Sequence, residues 1–225
     1  SFHGYKIIQF SDLHYQNEQL LKDTVSAISI RNPDLIVFTG DLLNGEKLTT
    51  EERRTLVEEL KKLPVDSLKY AVLGEDDTDE AVAILQDVGF TILNNTYELI
   101  YQEDKEAILL MGLNTNEENL DSLLSYYQIP EHNDTIFSLL LLHQPDYLEL
   151  VLSKRSIDLA LAGHTHGGEV FSLALPKKDT SYGDSYYDIK TTKLYVSGGI
   201  GTSEYSVRFF NRPSINFFRL NSTAT

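Results

Sequence analysis

Five short apolar runs each end in a carboxylate or an imidazole, and no other feature of the sequence constrains the fold as much. Residues 5–10 lead to Asp12-Leu13-His14, residues 35–39 to Gly40-Asp41, and residues 70–73 to Gly74-Glu75-Asp76-Asp77. Residues 136–142 lead to His143, and residues 157–162 to Gly163-His164-Thr165-His166-Gly167-Gly168. Runs this short and continuous suit strands covered on both faces. Between the early runs lie helical patterns over about 17–30, 50–63 and 80–88, stopped by Asn32-Pro33, Pro64 and Gly89. Strand–helix alternation predicts an α/β fold, in which ligands and catalytic groups collect at the carboxyl ends of strands.

Past residue 90 the texture changes. Shorter strands are predicted over 91–93, 96–101 and 107–112, then a helix over 117–127 and another over 146–152. Strand-like runs follow at 169–172, 193–197, 206–210 and 215–220, whereas polar and aromatic residues 174–190 read as a long loop. No internal repeat, low-complexity tract or linker interrupts the chain, so residues 1–225 are expected to form one domain with more strands than a simple doubly wound sheet.

Charge and composition narrow the chemistry. The 19 Lys+Arg against 34 Asp+Glu leave a net charge of −15, which argues against a nucleic-acid polymer as partner, because such binding depends on clustered cations displacing counterions. No cationic tract matches an anionic membrane surface, and no apolar run is long enough to span a bilayer. The sequence contains no Cys, which excludes disulfides, thiolate catalysis and Cys-type zinc sites without fixing the redox compartment. The chain opens at Ser1 with a strand almost at once, as it would if an N-terminal signal or anchor had been removed. A cytoplasmic location and an extracytoplasmic, membrane-associated one are both compatible with that start.

Taken singly, each ligand-rich segment has an ordinary reading. Asp12-x-His14 can be a turn with an exposed His, and Asp41 a turn or capping carboxylate. Asp77 with Glu80 fits a capping box, and His143 after four leucines fits a hydrogen-bonded core histidine. Two imidazoles two residues apart between glycines, at 163–168, are harder to dismiss. Four of the six His fall in these segments; His3 and His132 lie outside them and are expected at the surface. Five such segments in this order predict a metal site. Mixed imidazole and carboxylate donors suit Mn, Fe, Zn or Co better than Ca or Mg alone, and so many ligands predict two ions rather than one.

The series Asp12-Leu13-His14, Gly40-Asp41-Leu42-Leu43, Gly74-Glu75-Asp76-Asp77, Leu142-His143-Gln144-Pro145 and Gly163-His164-Thr165-His166-Gly167-Gly168 resembles the calcineurin-like metallophosphoesterases, in particular the bacterial branch whose motif set ends in GHTHGG. The resemblance implies a two-sheet β-sandwich flanked by helices, with the metal site at the strand C-terminal ends. It implies that Asp12, His14 and His166 hold a first divalent ion, that Asp41 bridges, and that His143, His164 and the residue at Glu75 hold a second. Manganese is the first expectation, with Fe, Zn, Co or Ni as alternatives. The implied activity is hydrolysis of small phosphodiesters, pyrophosphates or phosphomonoesters by a hydroxide bridging the metals.

The chain departs from the family where the third motif normally reads Gly-Asn-His followed by Asp or Glu. Glu75 replaces the Asn ligand; it still supplies oxygen and adds a charge. Asp76 replaces the His credited as proton donor, or as stabiliser of the transferring phosphoryl group, and a carboxyl beside cations stays ionised. Losing general-acid help costs ~10²–10⁴-fold in rate, less where the leaving group needs no proton. Three readings follow: an active phosphoesterase, a metal-binding pseudoenzyme or regulatory domain, and a structural interaction domain with one metal or none. Arg208 is a candidate phosphate partner through its forked donors, with a surface salt bridge as the plain alternative. Loops at 15–17, 44–49, 114–118 and 174–190, the last with Tyr182, Tyr186 and Tyr187, are candidates for contacting the substrate. The aromatics there would otherwise simply pack the loop.

Overall fold

The computed structural model describes residues 2–45, 47–102, 107–114, 136–166, 181–202 and 212–221. Strand β1 (Lys6–Phe10) is followed by helix α1 (Glu18–Arg31), β2 (Leu35–Thr39), α2 (Thr50–Leu60), β3 (Leu68–Val72), α3 (Asp79–Asp87) and β4 (Thr91–Ile92). Then come β5 (Thr96–Ile100), β6 (Ile108–Leu113), β7 (Phe137–Leu142), a 3₁₀ turn at Pro145–Tyr147 and helix α4 (Leu148–Leu152). Strands β8 (Leu159–Ala162), β9 (Ser185–Ile189), β10 (Thr192–Val196) and β11 (Asn216–Arg219) complete the described elements.

The strands form two sheets, ordered β11-β1-β2-β3-β4 and β5-β6-β7-β8-β10-β9. The inner strands of both run parallel, whereas β11, β5 and β9 pair antiparallel at the edges. Side chains alternate across each strand and thereby build three apolar layers. Ile7, Leu35 and Val37 meet Leu139, Leu141 and Leu161 between the sheets. Their neighbours Ile8, Ile36 and Phe38 face the opposite way, against Leu21, Ile28, Leu56 and Ile84 of the first three helices. On the far side Leu140 and Leu142 meet Leu148 and Val151 of α4. A fully buried Leu contributes about 1.5–3 kcal/mol relative to its exposed state, so continuous apolar runs such as β2 and β7 belong in the centre of a sandwich.

One polar side chain ties the layers together beneath the rim. The Gln9 amide donates to Thr39 Oγ1 at 3.0 Å and to the Ala162 carbonyl at 2.8 Å, which links β1 to β2 and to β8 of the other sheet. Both partners sit at the carboxyl ends of their strands, so the two sheets are pinned where the ligand-bearing loops begin.

The structure corrects several expectations. Residues 185–189 are strand β9, not loop: Ile189 pairs with Thr192 across Lys190-Thr191, with Lys190 at φ +56. A tight hairpin normally announces itself with Asn-Gly or a similar pair, and Lys-Thr gives no such signal. The capping box is made by Thr49 and Glu52 at α2. The one expected from Asp77 and Glu80 is not formed: Thr78 is the N-cap of α3, and it makes no side-chain cap bond. Helix α2 ends at Leu60, three residues before the position anticipated, and the 146–152 helix resolves into a 3₁₀ turn and α4. The predicted helix at 117–127 and strands at 169–172 and 206–210 lie outside the described residues, as do His132 and Arg208. His3 is exposed, as expected. Among the described residues no helix is long and apolar enough to cross a membrane.

Candidate metal centre

The loops that leave β1, β2, β3, β7 and β8 bring Asp12, His14, Asp41, Glu75, Asp76, His143, His164 and His166 to one rim. Four sets of ligand atoms lie mutually within 4.8 Å: Asp12/His14/His166, Glu75/His143/His164, Asp12/Asp41/His143 and His14/Asp41/Asp76. The first two sets are disjoint, and Asp41 falls between them. Its Oδ2 lies 3.6 Å from His14 Nε2 on one side and 3.2 Å from His143 Nε2 on the other.

In the first set, His14 Nε2 and His166 Nε2 approach to 2.9 Å, their rings stacked with centroids 4.7 Å apart. Asp12 Oδ1 lies 3.5 Å from His166 Nε2 and accepts the His164 amide at 2.9 Å. In the second set, Glu75 Oε1 is 2.7 Å from His164 Nδ1 and Oε2 is 3.0 Å from His143 Nε2. The Gln144 amide donates to that same Oε2 at 3.3 Å.

Local backbone geometry serves this convergence. Eight described non-glycine residues have positive φ, and five of them are Asp12 (+49), His14 (+37), Asp41 (+59), His164 (+73) and His166 (+49). Such conformations cost about 1–3 kcal/mol each and concentrate where a site is held against local preference. Glycines supply the necessary closeness: a Cβ on Gly163 would strike Ser11 Oγ and Asp12 Oδ2, and one on Gly74 would strike the Asp41 carboxylate.

The electrostatics call for positive charge. His143 Nδ1 donates to the Thr39 carbonyl at 2.7 Å. A carbonyl can only accept, so the proton sits on Nδ1 and Nε2 turns toward Asp41 and Glu75. Burial works against a charged His143 ring, yet the Asp41 and Glu75 carboxylates outweigh it and hold its pKa well above the usual imidazole value. Burial likewise opposes ionisation of Asp41 and Glu75, but His143 beside Asp41, and His143 with His164 beside Glu75, pull both below the ordinary carboxylate range. Burial raises Asp76, with the Asp41 charge adding to it. Among the described residues Asp12 Oδ2 is buried without a hydrogen-bond partner, and His143 Nε2 is buried with only the Asp41 and Glu75 carboxylates turned toward it. Buried polar atoms left in this state are costly, and a divalent cation accepting both lone pairs would resolve it. The chemistry of the donor set therefore fits divalent metal ions.

Three contributors escaped the sequence reading. Thr39 acts through its carbonyl, which no residue type reveals. Gln144 stood in a recognised motif without a role. Asp77 has the spacing of a helix cap, whereas its Oδ2 accepts the Asp41 and Gly74 amides at 2.9 and 3.0 Å and its Oδ1 the Leu42 amide at 2.7 Å. Burial pushes its pKa up to about 6.

Facing sheets with convergent His, Asp and Glu donors at one rim are the frame of a metal-dependent hydrolase. The chain belongs to the calcineurin-like phosphoesterase family, whose model matches residues 5–168. Over 99% of its length it is 32% identical to the uncharacterized metallophosphoesterase YkuE of Bacillus subtilis (strain 168), covering 81% of that protein. It is 26% identical to an uncharacterized metallophosphoesterase of Helicobacter pylori (strain ATCC 700392 / 26695), of which it spans 59%. Among solved structures, TT1561 of Thermus thermophilus superposes with a TM-score of 0.55 at 13% identity, over 88% of this chain and 90% of that one. This last likeness shows the fold, a mixed α/β arrangement of two sheets and helices.

Proposed function

We propose that the chain hydrolyses small phosphoesters with two divalent ions, one held by Asp12, His14 and His166 and the other by Glu75, His143 and His164, with Asp41 shared. The observation that carries this reading is the meeting of two separate donor sets at a single carboxylate oxygen, Asp41 Oδ2, 3.6 and 3.2 Å from one imidazole of each. Paired divalent ions at such a centre supply nucleophilic water at neutral pH and neutralise the charge of a phosphoryl group in flight. The chain's own groups set the terms. His143 is fixed by Thr39 so that its Nε2 faces the centre, and the glycine-bounded loops hold donors in left-handed backbone that few residues adopt.

Position 76 limits the substrate. An imidazole there could protonate a leaving oxygen; a carboxylate among cations stays ionised. Diesters and pyrophosphates with good leaving groups are therefore favoured over alkyl monoesters, and the net charge of −15 favours small substrates over nucleic-acid polymers. Hydrolysis of bis(p-nitrophenyl) phosphate is expected with Mn, and in some degree with Co, Ni, Zn or Fe. No turnover with any of the five removes the proposal.

The same Asp76 supports a second reading, a metal-binding pseudoenzyme. The double change Glu75→Asn with Asp76→His separates the two. An existing activity should rise about 10²–10⁴-fold, most for poor leaving groups, if the chain is an enzyme. Activity should appear where there was none if it is not.

A further inference from the structure

One loop holds Asp41 at two points, its backbone amide through the Asp77 carboxylate and its side chain through the Asp76 amide. Following Gly40 at φ +95, Asp41 itself sits at φ +59, a conformation it does not hold unaided. Its amide and that of Leu42 donate to Asp77 Oδ2 and Oδ1 at 2.9 and 2.7 Å, so the Asp77 carboxylate closes over the turn that carries Asp41. The Asp77 carboxylate also accepts the Gly74 amide at 3.0 Å, and the Asp77 amide donates to the Gly74 carbonyl at 3.3 Å. These bonds shape residues 74–77 into a tight loop whose Asp76 amide donates to Asp41 Oδ1 at 3.0 Å. With Oδ1 engaged there, only Oδ2 is left to face His14 and His143. The loop comes this close because residue 74 is glycine; a Cβ there would meet Asp41 Oδ1.

We infer that Asp77 is a positioning residue, acting through Asp41 to aim one carboxylate oxygen, Oδ2, at His14 and His143, where it would be available to an ion in either donor set. This rests on the reading of Asp41 as a shared ligand. A carboxylate answering three backbone N–H groups has no neutral equivalent. Asn at 77 keeps the shape but turns an NH₂ toward at least one donor. Removing an outer partner of a ligand typically costs 10–100-fold in metal affinity. Here the loss falls on the pairing of ions, because Asp41 lies between the two sets, against His14 of one and His143 of the other.

The test uses the chain loaded with Mn²⁺ and reads two quantities: ions bound per chain, and the exchange-coupled signal of a bridged manganese pair in electron paramagnetic resonance. The unaltered chain is expected to bind two ions with a coupled signal. Asp77→Asn should lose the coupled signal and bind its second ion about 10–100-fold more weakly. Asp77→Ser, which keeps a small acceptor but cannot answer three amides at once, should lose the coupling too and carries the test if the Asn variant fails to fold. Ile84→Ala, a core truncation away from the rim, controls for simple destabilisation and should keep both ions coupled. Coupling and affinity retained in Asp77→Asn, with only a lower melting temperature, would overturn the positioning role and leave the shared ligand standing. An unaltered chain with no coupled pair would instead remove the shared ligand itself, and this role with it.

Discussion

The two donor sets differ in how deeply the fold encloses them. In the first, the side chains of Asp12, His14 and His166 are 0%, 1% and 11% exposed. In the second, His143 is fully enclosed, but His164 is 19% and Glu75 39% exposed. A closed set resembles an anchor and an open one a working position, by the same logic that separates structural from catalytic zinc sites. Solvent reaches Glu75 and His164 more readily than Asp12.

The largest expected effect erases the distinction altogether. Asp41→Ala removes the group that lies between the two sets, so hydrolysis should fall below detection and metal content below one ion per chain in elemental analysis. Substantial retained turnover would show that the sets work independently. A smaller and more discriminating effect comes from cutting one set at a time. His143→Ala should keep one ion that survives gel filtration, whereas His14→Ala should keep one that dialysis against EDTA removes readily. Equal retention by the two variants breaks the contrast between anchor and open position. The smallest effect sharpens it: Gln144→Ala removes an exposed hydrogen bond to Glu75, so affinity for the second ion should drop about 2–10-fold, in keeping with the modest net value of one such bond. The tighter ion should be unchanged in a Mn²⁺ titration followed by calorimetry.

The donor residues were legible in the sequence because each stands at the end of an apolar run, where chain direction alone places it on the rim. Period and composition likewise exposed β2 and β7, whose Leu, Ile and Val are buried on both faces. What stayed hidden was carried by the backbone. Residues 185–189 look like loop because tyrosines and acidic residues at a sheet edge face solvent on one side, and because Lys190 takes the left-handed turn that Gly or Asn usually signals. Asp77 has the spacing of a helix cap to Glu80, and only the approach of the β2 and β3 loops reveals its partners as the amides of Asp41, Leu42 and Gly74. Glu75 could be seen to replace an amide ligand, but its contact with both His143 and His164 depends on a side-chain reach that spacing does not record.

Strand β11 lies beside β1, with Arg219 opposite Lys6. On a ribosome adding about 5–20 residues per second, β1 waits about 10–40 s for this outer neighbour. During that interval β1 shows an unpaired edge, the kind of template on which nascent chains stick to one another. Slowing of translation before β11, or loss of β11, should therefore be felt first as poor solubility rather than as altered chemistry.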